Sequence, residues 1–69
     1  MNKQKIKEKI EEYEYRQNGM HLISGASVQV VNVKVYKNLV ICDVKLIYDL
    51  DNKTETHKAV EYPKKFFEE

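Results

Sequence analysis

At 69 residues the chain has room for one small domain, which removes roughly 60% of its unfolded surface from water. Its 12 Lys and Arg against 11 Asp and Glu leave a net charge of +1, which excludes a strong field toward DNA, RNA or an anionic membrane. A single cysteine cannot form an internal disulfide, and no apolar run is long enough for a signal-peptide core or a bilayer span, so a reduced, cytoplasmic protein without membrane attachment is expected.

Residues Asn2–Gln17 contain no Gly or Pro and are rich in Lys, Glu and Gln, which favours a helix. Ile6, Ile10 and Tyr13 fall at i, i+4 and i+7, giving a narrow apolar stripe and leaving most of the helix surface to solvent. Asn18-Gly19 reads as the C-cap, with Gly19 in the left-handed conformation. Met20–Ile23 reads as a short strand or extended lead-in, and Gly25 as a bend or bulge.

Apolar residues then recur at every second position through Val28–Leu50, the signature of a β-hairpin. The strands are expected at Ser27–Tyr36 and Leu39–Leu50, joined by a two-residue turn at Lys37-Asn38. This turn pairs Val35 with Val40, Val33 with Cys42, and Val31 with Val44 on one face. A loop at Asp51-Asn52-Lys53, with a left-handed residue at Asn52 or Lys53, leads to a third strand at Thr54–Tyr62. In that register Val44 faces Val60, Cys42 faces Tyr62, and Asp43 lies opposite Glu61. Pro63 ends the strand because it cannot donate to a ladder.

The predicted fold is α+β: an N-terminal helix packed on a three- to four-stranded antiparallel meander, a two-layer sandwich. It is one domain over 1–69, with helix and cap at 1–19, antiparallel sheet at 20–62 and a tail at 63–69. The helix is expected to cover Val31, Val33, Val35, Val40, Cys42, Val44, Leu46 and Val60. The opposite face then carries Val28 beside Ile47, Val30 beside Lys45, Asn32 beside Asp43, Lys34 beside Ile41, and Tyr36 beside Leu39. Two apolar patches flanking a charged middle depart from the apolar-in, polar-out alternation of a half-solvated sheet. Phe66 and Phe67 either add apolar surface past the last strand or fold back to close one end of the core.

Chemical motifs are sparse. His21, Cys42 and His57 are metal-ligating types, but none has a paired ligand spacing, so no metal or other cofactor is expected. Cys42 falls among core valines, where a thiol behaves as a small hydrophobe. Asp43 and His57 read as ordinary surface residues, since no Gly-rich loop or pocket supports acid–base work. Asp49-x-Asp51-Asn52 opens like a calcium loop but lacks its Gly and distal Glu, and reads as a turn. No catalytic residue is therefore expected.

Nucleic-acid binding is the rival reading. Lys34, Lys37, Lys45, Lys53 and Lys58 lie on the sheet or its turns, with Tyr36, Tyr48 and Tyr62 as stacking platforms for a single strand. Against it, Asp43, Asp49, Asp51, Glu55 and Glu61 are interleaved with those lysines, and the one arginine, Arg16, is on the helix. The favoured expectation is a small non-catalytic module that docks on another protein, in the manner of a phage or mobile-element accessory or inhibitor protein. Its contact is expected at Lys34, Tyr36, Leu39, Ile41 and Ile47, or at Phe66 and Phe67. With a thin core, a homo-oligomer is also expected, and in a structural alternative self-association is all the second face does.

Overall fold

The computed structural model describes residues 2–68; Met1 and Glu69, the outer ends of the expected helix and tail segments, lie outside the described residues. Helix α1 spans Lys3–Gln17 and is followed by three antiparallel strands, β1 at Ala26–Val35, β2 at Leu39–Tyr48 and β3 at Lys53–Pro63, in the order β1-β2-β3. This is the predicted α+β meander under one helix. The shortest extent is 16 Å, room for one helix on one sheet, and the described residues form no further layer.

The side chain of Asn2 starts α1 by accepting the backbone N–H of Gln4 at 2.7 Å. No acidic residue in the first turn complements the helix dipole, so this cap and the burial of Ile6 and Ile10 hold that end. At the other end Asn18 donates its side-chain amide to the Glu14 carbonyl at 2.8 Å, and Gly19 takes the left-handed φ of 64°. Met20–Leu22 is a turn of 3-10 helix that buries Met20 completely, not the short strand or extended lead-in suggested by the sequence, so the sheet begins at Ala26. Local i to i+3 bonds from Leu22 to Gly19 and from Ile23 to Met20 take its backbone groups out of any ladder.

The core joins Ile6, Ile10 and Met20 to Val30, Val40, Cys42, Val44, Leu46 and Tyr62. Around the first turn the expected register holds, with Val35 paired to Val40 and Lys34 to Ile41. Asn32 then adopts a φ of 54° and bulges, and beyond it the pairs are Val31–Asp43, Val30–Val44, Val28–Leu46 and Ala26–Tyr48. One inserted residue exchanges the faces of the strand. Val30 and Val28 therefore turn toward the helix, and Val31 turns away from it, reversing the expected assignment.

The β2–β3 register also differs from expectation. Cys42 pairs with Val60 and Val40 with Tyr62; after a second bulge at Ala59, with a φ of 53°, Val44 pairs with His57. The connection is longer than expected: Asp49–Asp51 forms a 3-10 turn closed by Asn52 in the left-handed conformation, so Tyr48 pairs with Lys53. Glu61 thus lies opposite Ile41, which removes the anticipated Asp43–Glu61 repulsion. Pro63 is the last residue of β3, and Lys64–Phe67 follows as a 3-10 turn.

Candidate functional site: the outer sheet face

Along β2 the residues Val40, Cys42, Val44 and Leu46 are buried, so alternation turns Leu39, Ile41, Asp43, Lys45 and Ile47 to the face opposite α1. Those five are half-buried by their neighbours only. In rows across the sheet, Ile41 lies between Lys34 and Glu61, Lys45 between Gln29 and Thr56, and Ile47 between Ser27 and Thr54. The expected Val28–Ile47 patch does not form, because the bulge at Asn32 puts Ser27 where Val28 was placed.

Asp43 organises the middle of this face. Its carboxylate accepts the Asn32 side-chain amide at 2.8 Å and the backbone N–H of Ala59 at 3.0 Å, so one central-strand residue fastens the bulges of both outer strands. These two hydrogen bonds, the Asn32 one first, together with the charges of Lys58 and Lys34, hold the Asp43 carboxyl below its usual range.

The anticipated contact residues fall into three places. Lys34, Tyr36, Leu39 and Ile41 gather at the hairpin end, where Tyr36 is half exposed and lines a shallow depression with Lys37, Asn38, Leu39 and Ile41. Ile47 is on the same face but six residues along β2 from Ile41, about 20 Å away. Phe66 and Phe67 belong elsewhere. Phe66 meets Tyr13 edge-on at 4.9 Å and Tyr62 at 5.4 Å, and Phe67 meets Phe66 at 5.0 Å. The Lys64 N–H donates to the Asn38 carbonyl at 3.1 Å, fastening this turn to the hairpin. The two rings therefore pack against the core.

The reactive side chains are kept apart. Cys42 is buried in the core, and desolvation first, then the charges of Asp43 and Glu14, push its thiol up to about 11. His57 pairs with Val44 and so faces the side of the sheet away from Asp43. His21 contacts the Tyr15 ring beside the 3-10 turn. Among the described residues no group of three or more His, Cys, Asp and Glu side chains is arranged to hold a metal ion, and no helix is long and apolar enough to cross a membrane.

Two features escaped the sequence reading. Leu22 and Leu50 are 80% and 77% exposed at the end of the sheet away from the hairpin, where Leu50 lies close to Gly25. Their placement depends on two 3-10 turns that have no periodic signature. The other is the pair of left-handed bulges. Its one local sign was a polar Asn32 within a run of valines, since Asn tolerates positive φ better than most residues. No protein-family model, no curated protein and no solved structure matches this chain.

Proposed function

We propose that this chain is a non-catalytic protein-binding module that docks another polypeptide on its outer sheet face. The observation that carries the reading is that Leu39, Ile41 and Ile47, interspersed with Asp43 and Lys45, face away from α1, and none of the described residues forms a further layer above them. Such a module acts by occupying a partner's surface, as accessory and inhibitor proteins do. The buried thiol of Cys42 fits a reduced, cytoplasmic setting.

The single-stranded nucleic-acid reading has less support. Tyr62 is buried and Tyr48 lies on the inner side of β2, so of the three sheet tyrosines only Tyr36 presents an exposed ring, and Asp43 and Glu61 share the outer face with Lys34 and Lys45. The test is Ile41→Ser combined with Ile47→Ser, compared with wild type and with Glu12→Gln on the helix. The expected result is loss of the complex in the double variant alone, with an unchanged circular dichroism spectrum. Binding retained by a folded double variant overturns the proposal.

A further inference from the structure

The outward positions of β2 from Ile41 to Ile47 run apolar, negative, positive, apolar: Ile41, Asp43, Lys45, Ile47. Read backwards the apolar pattern is the same and the charges are exchanged, so this row is complementary to its own reverse. From this we infer that the outer face is filled by a second copy of this chain, packed face to face with the two central strands antiparallel. The inference rests on reading that face as a docking surface, and it names the occupant.

A two-fold axis lying across the strands at the level of Val44 generates the arrangement. Ile41 then lies over the partner's Ile47, and Asp43 over the partner's Lys45, with both contacts repeated by symmetry. The flanking strands agree. The axis brings Lys34 over the partner's Ser27, Glu61 over the partner's Thr54, and Val31 over the partner's Gln29, so no like charges meet. Turning one copy end for end instead sets Asp43 over the partner's Asp43 and Lys45 over the partner's Lys45. Facing sheets lie about 10 Å apart, with little water between them, so like charges there are unfavourable. The isoleucines supply the burial, and the charges choose the orientation. Asp43 can accept the added lysine, because a carboxylate has about four acceptor sites and the bulges occupy two.

Sedimentation velocity over a concentration series, with chemical cross-linking, tests this. Wild type should shift from monomer to dimer, and Lys45→Glu should weaken the dimer roughly tenfold or more while keeping its circular dichroism spectrum. An Ile41→Cys chain mixed with an Ile47→Cys chain should join through a short thiol cross-linker, and neither should join to itself. Cys42, only 1% exposed, stays out of the reaction. Self-joining of each single variant overturns the antiparallel arrangement. A wild type that is monomeric throughout overturns the second copy as occupant, and leaves the docking reading to the foreign complex probed with Ile41→Ser and Ile47→Ser. A dimer that the same double variant does not weaken forms through another surface, and likewise overturns the second copy as occupant of this face.

Discussion

The carboxylate of Asp43 accepts the backbone N–H of Ala59 at 3.0 Å, from a strand neighbour held at a φ of 53°. An alanine in the left-handed region is unfavourable by about 1–2 kcal/mol, and it persists where the surroundings over-determine it. Here a charged acceptor fixes the amide, and Asn32 fixes the opposite oxygen from the other outer strand.

Asp43 should therefore give the fold an acid-sensitive component. Its carboxyl titrates below the unfolded value of about 3.9, so its stabilising contribution is present above that pH and is lost as pH falls through the lower folded value. Asp43→Asn should melt at a lower temperature than wild type at pH 7, and the difference should shrink as the pH falls below about 4. Thermal melts followed by circular dichroism at several pH values measure this. A gap that stays constant with pH contradicts the ionic role.

Ala59→Gly should stabilise the protein. Glycine adopts positive φ without steric cost, and the backbone N–H that Asp43 accepts is kept. Relief of the left-handed strain outweighs the extra freedom of glycine in the unfolded chain, for a net gain of about 0.5–1 kcal/mol, or several degrees in thermal midpoint for a domain of this size. Asn32→Gly shares the backbone benefit but loses the side-chain bond to Asp43, so it should gain less. A lower midpoint for Ala59→Gly would count against strain at this bulge.

The Tyr62 hydroxyl donates to Glu14 at 2.6 Å at the edge of the core. Tyr62→Phe leaves that carboxylate without its donor and should cost about 1–2 kcal/mol, read from urea midpoints. Burial, and then the Glu14 carboxylate, raise the Tyr62 phenol above its ordinary value. The folded state thus keeps a proton that the unfolded chain releases above about pH 10, and stability should fall from that pH upward. Tyr62→Phe should lessen that alkaline loss.

The parts of the fold legible in sequence were those encoded over a few residues. Gly19 ends α1 in the left-handed conformation, Lys37-Asn38 turns the first hairpin with Val35 facing Val40, and Asn52 is left-handed in the second connection. Strict alternation failed at Asn32 and Ala59, and each failure exchanged the faces of the residues that precede it in the strand. Both bulges depend on Asp43, which is 11 residues from Asn32 and 16 from Ala59, so no short window of sequence contains the cause. The candidate face was legible in β2 itself, because the central strand carries no bulge, and illegible in the company its residues keep. Ile47 has Ser27 beside it instead of Val28 for this reason.

Glu11 has a wider effect than the bond it makes. From α1 its carboxylate accepts the N–H of Val30, halfway along the outer edge of β1, at 3.0 Å. A chain with two free sheet edges can add copies without end, since every addition exposes a fresh template. With the middle of one edge occupied by a helix side chain, and the other edge broken by the left-handed Ala59 and ended by Pro63, neither outer strand offers a long unbroken template. Edge-to-edge growth in this protein should therefore be hindered on both sides, and Glu11→Ala is the change that would uncover the β1 template.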